Sequence, residues 1–301
     1  MKEDKLVIQQ VAEERFQGHD TRKRLYSELE KEIGIPIISF FTSFTYAVML
    51  EDNDADMLEG VLQKCDLSEG FALLLSSPGG SGLAAERIIN ICRSYSGKGE
   101  YTVIIPGKAK SAATMISLGA SKIIMGKTSE LGMIDPQIVI EKEEGKEPKW
   151  FSIYNIVKSY QELFGKAVKE KGNLQPYLQQ LANYDAREIA EYRSALSLSA
   201  DIAVKSLEVG MLSGLTEGEI KKKIEIFLTP EKGKKVHGRP IYAQDALDCG
   251  LNVEIRNVKE RFWSVVYELY IRLNSHVSTN KVAKCIECKD YSFRATVGGK
   301  S

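Results

Sequence analysis

Short apolar runs alternate with amphipathic stretches through residues 20–125, and this alternation limits the possible folds more than any other feature of the chain. Four apolar runs are too short for helices and predict buried strands: Ile35–Thr42, Phe71–Leu75, Tyr101–Ile105 and Lys122–Met125. Apolar residues at helical spacing predict four helices: Thr21–Ile33, Asp54–Cys65, Leu83–Tyr95 and Ser111–Leu118. Strands and helices that alternate in this way indicate an α/β fold around a mainly parallel sheet.

The second half of the chain is richer in helices. The pattern predicts helices over Ser152–Lys171, Leu174–Asn183, Asp185–Glu208, Thr216–Phe227, Ile241–Leu251 and Lys259–Ser275, with a strand at Asn252–Ile255. The tail Thr279–Ser301 is polar, and we expect an appendage there. We therefore expect an N-terminal helical segment (1–34), a main domain (35–255) with a helical arm over about 152–227, and a C-terminal helix with a polar tail (256–301).

Charge and cysteine content restrict the partners and the compartment. The 41 basic and 41 acidic residues cancel, which argues against a nucleic-acid partner. The longest apolar-rich stretch, Ile35–Leu50, is interrupted by polar residues and is shorter than the roughly 20 residues of a membrane helix. Cys65, Cys92 and Cys249 lie in apolar patterns typical of reduced core thiols. We expect a cytoplasmic protein without a membrane segment.

One close cysteine pair, Cys285 and Cys288, could indicate a metal site. Structural zinc is held by four ligands, commonly two such pairs, and this chain has one pair and only 3 histidines. A free or redox-active pair is the favoured interpretation. The sequence predicts neither a metal nor an organic cofactor.

Two strand-to-helix junctions could carry chemistry, because ligands of parallel sheets gather where strands end. The first junction is Ser77–Gly82 (SPGGSG), whose glycines could expose backbone N–H groups to an oxyanion or could simply form a tight turn. The second is Pro106–Met115 (PGKAKSAATM), where Ser111 opens a helix. Ser111 is placed for a nucleophile, but a serine at this position is also a common helix cap.

Taken together, the two junctions resemble the Clp protease and crotonase superfamily, and the chain looks most like its serine dehydrogenase proteinase family, a relative of signal peptide peptidase A and the Clp proteolytic subunit. The motifs that carry the resemblance are LLLSSPGGSG (73–82), IIPGKAKSAATMISLGASKIIM (104–125), SELGMIDPQI (129–138) and HGRPIYAQDALDCGL (237–251). The resemblance implies a Clp/crotonase-like fold of repeated ββα units with a helical oligomerisation arm, and serine peptidase activity.

The same resemblance implies roles for particular residues. Ser111 would be the nucleophile, and the N–H groups of Gly80 (or Gly79) and Ala112 would form the oxyanion hole. The histidine of the Clp subunit is missing here, since the corresponding place holds Asp135 within Ile134–Gln137. Asp135 could orient another residue or simply form an Asp–Pro turn.

Without that histidine, another group must accept the proton of the serine. Relatives of signal peptide peptidase use a lysine, and the context of Lys149 (PKWFSIYNI) resembles theirs. A buried lysine can act as a base because desolvation lowers its pKa. We rank Lys149 first, His237 second and Lys158 third, although a lysine in a charged stretch is usually a solvated surface residue.

The sequence thus favours a homo-oligomeric serine peptidase that acts on peptides or proteins through a Ser–Lys dyad. Two alternatives stay open. One is a catalytically inactive peptide-binding or scaffold protein of the same fold, which the missing histidine suggests. The other is an acyl-CoA enzyme of the crotonase type, which shares the oxyanion hole but needs no serine nucleophile.

Overall fold

The computed structural model describes residues 5–14, 18–98, 100–140, 149–230, 239–279 and 281–298. The strands are β1 Ile37–Thr42, β2 Phe71–Ser76, β3 Tyr101–Ile105, β4 Lys108–Ala109, β5 Lys122–Gly126, β6 Glu130–Leu131, β7 Gln137–Ile140, β8 Lys149–Ser152, β9 Ile241–Tyr242, β10 Val253–Arg256, β11 Val282–Glu287 and β12 Ser292–Thr296. The helices are α1 Val7–Glu13, α2 Asp20–Ile33, α3 Asp52–Leu62, α4 Gly82–Tyr95, α5 Ala112–Leu118, α6 Ile153–Lys169, α7 Gln175–Leu181, α8 Ala186–Glu208, α9 Glu217–Lys223, α10 Glu225–Leu228, α11 Ala243–Asp248 and α12 Arg261–His276.

The largest sheet of the described chain has seven strands in the order β10-β5-β3-β2-β1-β11-β12. The five strands from β10 to β1 are parallel, and β11 and β12 are antiparallel. The α/β fold with a mainly parallel sheet is confirmed.

Helices cover both faces of this sheet. Because side chains alternate along a strand, neighbouring residues of β1 and β2 enter different cores. Ile38 and Leu73 pack with α3, α4 and α5 on one face. Ile37 and Leu74 pack with α2 and α12 on the other. Both strands are buried along their whole length, which is why they occur as continuous apolar runs.

The C-terminal tail differs from the sequence-based expectation. We expected a polar appendage, but β11 pairs with β1 and is buried at all six positions. Its two charged residues, Lys284 and Glu287, are paired with Asp54 and Arg22, which lie more than 200 positions earlier. The charged residues of this strand made its sequence look exposed, because their ionic partners are distant in the chain. Pairing with those partners is what allows the charges to be buried.

Two smaller segments also differ from the predicted pattern. Residues 137–140 and 149–152 form a hairpin, β7–β8, ahead of α6. The predicted helix Ile241–Leu251 begins instead with the short strand β9, which pairs with β6. Both strands of each pair are short, so their apolar periodicity is too brief to distinguish strand from helix.

Helices α6, α7 and α8 occupy most of the range predicted for the helical arm. Helix α6 packs against α7 and α8, and α8 also packs against α4 and α5. Several large apolar side chains of α6 and α7 are exposed, among them Phe164, Val168 and Leu178. Of the helices within the described ranges, none combines the length and the apolar composition needed to cross a membrane.

Candidate active site

The two junctions identified in the sequence lie side by side. Strands β2 and β3 are parallel neighbours, so the loops that follow them leave the same edge of the sheet. Ser77 joins the loops through two backbone hydrogen bonds: its N–H donates to the Lys108 carbonyl (3.2 Å), and its carbonyl accepts from the Lys110 N–H (3.0 Å).

Gly79 brings the first loop against the start of α5. A Cβ atom at this position would lie 2.5 Å from the Lys110 carbonyl oxygen and 2.8 Å from Ser111 Cβ. The φ angle of Gly79 is +98°, a value that L side chains rarely adopt. Only glycine satisfies both the conformation and the space, so the backbone of the SPGG loop packs directly on Ser111.

Gly80 is held from the other side by Leu50. The Leu50 N–H donates to the Gly79 carbonyl (2.8 Å), and the Ser81 N–H donates to the Leu50 carbonyl (2.9 Å). A Cβ on Gly80 would overlap the Leu50 backbone. This pairing uses the groups on either side of Gly80 and leaves its own N–H without an acceptor among the described residues.

Ser111 has a strained backbone and a free hydroxyl. It precedes α5 with φ 49° and ψ −116°, and a non-glycine residue held in such a conformation costs on the order of 1–3 kcal/mol. Its side chain does not cap the helix, whereas Ser81 and Ser152 cap α4 and α6. Within the described ranges its Oγ has no hydrogen-bond partner. The alternative that Ser111 is only a helix cap is therefore wrong.

The candidate oxyanion donors differ in availability. The Gly79 N–H donates to Ser77 Oγ at 3.1 Å and is already satisfied. The N–H groups of Gly80 and Ala112 have no acceptor in the described part of the chain. Ala112 is the first residue of its helix, where N–H groups lack intrahelical partners. Gly80 and Ala112, rather than Gly79, are thus free to bind an oxyanion.

Thr114 and Lys110 brace this region against the segment that follows β5. Thr114 is fully buried, and its Oγ1 contacts the carbonyl oxygens of Ala109 and Gly132 at 2.9 Å and accepts the Gly132 N–H at 3.0 Å. Lys110 Nζ donates to Glu130 Oε2 at 2.8 Å and so is engaged beside Ser111. Sequence reasoning missed Thr114. Its position three residues after Ser111, among small and apolar residues, was the available signal.

Asp135 lies at the entrance to α6. Its side chain is buried, with 2% of the residue exposed, and its Oδ1 accepts the Tyr154 N–H at 3.4 Å. Burial raises the pKa of the Tyr154 hydroxyl, and the negative charge of Asp135 raises it further. Asp135 therefore helps to fix the start of α6, and its predicted role in orienting a catalytic group stays a prediction.

Of the three candidate bases, Lys158 is the one whose side chain lies within the described part of the structure. Lys149 is the first residue of β8, opposite Ile140, and its side chain lies outside the described part of the structure. His237 falls within residues 231–238, also outside it. Lys158 lies on α6, 3.5 Å from Glu162, and borders a cleft between α6 and α8. The identity of the base stays a prediction, with Lys149 ranked first.

The CxxC cysteines do not form a pair with each other. Cys285 packs in the core on the α2 and α12 side of the sheet, and Cys288 packs in the core on the α3 side. The interaction with the Cys65 thiol lowers the pKa of the Cys288 thiol. No group of three or more His, Cys, Asp or Glu side chains suited to a metal ion occurs among the residues that the structure describes.

Comparison with known proteins finds a family that part of this chain resembles. Residues 28–145 match the family model described as ClpP-like SDH-type serine proteinase. This segment contains Gly79, Gly80, Ser111, Ala112 and Asp135. The family resemblance inferred from the sequence motifs is confirmed, and so is the Clp-like fold.

Two similar proteins come from Methanocaldococcus jannaschii, and both are uncharacterised. MJ0137 is 29% identical over 79% of this chain and 68% of its own length. MJ1495 is 36% identical over 35% of this chain, and the match spans 32% of its own length. The chain thus covers about two thirds of the first relative and about a third of the second.

Two solved structures of mutants of the 1510-N membrane-bound stomatin-specific protease are also similar, each with 17% identity and a TM-score of 0.29. The first match covers 43% of this chain and 63% of the other. The second, a complex with a substrate peptide, covers 74% of this chain and 93% of the other.

Proposed function

We propose that this chain, which matches the ClpP-like SDH-type serine proteinases over residues 28–145, is a serine peptidase that cleaves peptide bonds through an acyl-enzyme at Ser111. One observation carries the proposal. Among the residues that the structure describes, the Ser111 hydroxyl and the N–H groups of Gly80 and Ala112 have no hydrogen-bond partner, and the Ser111 backbone is strained. Strain of this kind persists where the surrounding structure imposes it, and it concentrates at functional sites.

The proposed reaction uses these groups in order. Ser111 Oγ attacks the peptide carbonyl carbon while the base, for which we propose Lys149, takes the hydroxyl proton. The N–H groups of Gly80 and Ala112 donate to the oxyanion as it forms. The base then returns the proton to the departing amine, and water hydrolyses the acyl-enzyme by the same steps.

The remaining parts of the proposal concern assembly and location. We propose that the chain forms a homo-oligomer through the arm, which is supported by the exposed Phe164, Val168 and Leu178. Covering such apolar side chains in an interface removes their surface from water. We also propose a cytoplasmic location, supported by five cysteines that all carry free thiols.

Labelling with a fluorophosphonate tests the nucleophile. The wild-type chain should acquire one adduct, located by mass spectrometry on Ser111, and should hydrolyse unstructured peptides. Ser111→Ala should abolish both activities. Ser117→Ala is the matched control on the same helix and should keep both, since the Ser117 hydroxyl only bonds the Ala113 carbonyl.

Other results would contradict the proposal. A folded wild-type protein that is not labelled at Ser111 would favour the inactive scaffold, and specific binding of a CoA thioester would favour the acyl-CoA enzyme. Lys149→Met tests the base separately. We expect it to lower kcat by at least 100-fold and to remove the rise of rate with pH. An unchanged pH profile would assign the base to another group.

A further inference from the structure

The buried ion pair between Lys284 and Asp54 links strand β11 to the candidate site. Lys284 Nζ donates to Asp54 Oδ2 at 2.8 Å. The Lys284 side chain is 9% exposed and that of Asp54 is fully buried. Asp54 Oδ1 has no hydrogen-bond partner in the described chain. Lys284 is therefore the cation that holds this carboxylate in its position.

Asp54 passes this constraint to the segment before α3. The oxygen that binds Lys284, Oδ2, also accepts the Glu51 N–H at 2.8 Å. The next residue toward the N-terminus is Leu50, whose N–H and carbonyl bond Gly79 and Ser81. An unbroken series of contacts thus runs from Lys284 through Asp54 and Glu51 to the loop that carries Gly80.

The proposed chemistry requires the Gly80 N–H, which lies on the side of that loop away from Leu50. Leu50 occupies one side of Gly80, so the Gly80 N–H points away from Leu50 and has no acceptor within the described ranges. A displacement of Leu50 would move this donor. Donors of an oxyanion hole are effective only within a few tenths of an ångström of their proper place.

We propose that Lys284 is a positioning residue for the oxyanion hole: through Asp54 it fixes Leu50, and Leu50 orients the Gly80 N–H. The proposal rests on the proposed function, and it assigns a role to a residue far beyond the segment that matches the family. A buried ion pair contributes little net stability compared with apolar side chains of the same size. Its directional hydrogen bonds, however, fix the geometry of both partners.

The test uses three full-length variants. Lys284→Met keeps the apolar stem and removes the charge. Lys284→Arg restores a cation. Glu287→Gln is the matched control, because Glu287 is a buried charged residue of the same strand that pairs with Arg22 instead. All rates are measured at a temperature where thermal melts show that every variant is folded.

We expect Lys284→Met to lower kcat for peptide hydrolysis and the rate of fluorophosphonate labelling about tenfold, with little change in KM, since a displaced donor weakens transition-state binding. Lys284→Arg should recover part of the loss, and Glu287→Gln should keep the wild-type rates. Equal rates in wild type and Lys284→Met, or an equal loss in Glu287→Gln, would overturn the proposal.

Amide hydrogen exchange tests whether Lys284 holds the loop without relying on any catalytic rate. Exchange of the Leu50 and Ser81 N–H groups should be about tenfold faster in Lys284→Met than in wild type, because their bonds to the loop open more often. Exchange in Glu287→Gln should change little at these positions. If the wild-type chain is not labelled at Ser111, the proposed function fails, and the exchange result still decides whether Lys284 holds the loop.

Discussion

The packing of Gly79 on Ser111 tolerates no side chain at position 79. A single added carbon would collide with the Lys110 carbonyl and with Ser111 Cβ. The positive φ angle adds a conformational cost to the steric one. The turn chemistry of SPGG was visible in the sequence. The structure was needed to show that the Gly79 N–H donates to Ser77 Oγ, whereas the Gly80 N–H, turned away from Leu50, has no acceptor in the described part of the chain.

We expect Gly79→Ala to lower the rate of Ser111 labelling at least 100-fold, since either the loop or Ser111 must move. The control is Gly60→Ala on α3, where a new Cβ has no atom within 4 Å. That change should leave labelling intact and raise the stability by up to about 1 kcal/mol through helix propensity. Active-site labelling and thermal melts measure both effects. Normal labelling of Gly79→Ala would argue against the packing described.

Helix α5 depends on the hydroxyl of Thr114, a residue to which the family resemblance assigned no role. Thr114 ties its first turn to Gly132, in the segment after β6. Helix α5 and the segment that contains Gly132 lie next to each other because β3 and β5 are parallel neighbours in the sheet. The sequence pattern predicted the helix itself. It did not reveal this brace, because a single threonine within an apolar helix has no periodic signature.

Thr114→Val should destabilise the protein by about 1–3 kcal/mol, because the buried Gly132 N–H loses its acceptor while the side-chain volume is kept. Thr114→Ser keeps the hydroxyl and should lose only about 1 kcal/mol for the missing methyl. Urea unfolding measures the difference. A smaller loss in Thr114→Val than in Thr114→Ser would show that the hydroxyl does not brace α5.

At the scale of the whole molecule, strand β11 is bonded to helices on both faces of the sheet, to α2 through Glu287 and to α3 through Lys284. Glu287 pairs with Arg22 of α2 at 2.6 Å, and His276 at the end of α12 lies close to this pair. Burial, together with the positive charge of Arg22, lowers the pKa of His276 to about 4. Glu287 and Arg294 are the other charged groups that act on this imidazole.

The sign of the pH dependence follows from this depressed pKa. Between pH 6.5 and about 4 the unfolded chain binds a proton at His276 that the folded chain does not bind, so stability falls as the pH falls. From pH 7 to pH 5 the wild type should lose about 2 kcal/mol more than His276→Asn. Urea unfolding of both proteins at the two pH values measures this difference. Parallel losses would show that His276 is accessible to protons in the fold.

The sequence by itself determined the α/β fold, the strands β1, β2, β3 and β5, and the two junctions with Gly80 and Ser111. These features arise from local apolar periodicity and turn chemistry, which adjacent residues encode. The tertiary structure alone decided that the Ser111 side chain does not cap α5, that among the described residues the Gly80 N–H, unlike that of Gly79, has no acceptor, and that β11 of the polar C-terminal tail is a buried strand of the sheet. The last two depend on partners distant in the chain: Leu50 beside Gly80, Asp54 for Lys284 and Arg22 for Glu287. Such contacts leave no periodic trace in a single sequence, because they are made only when the chain folds.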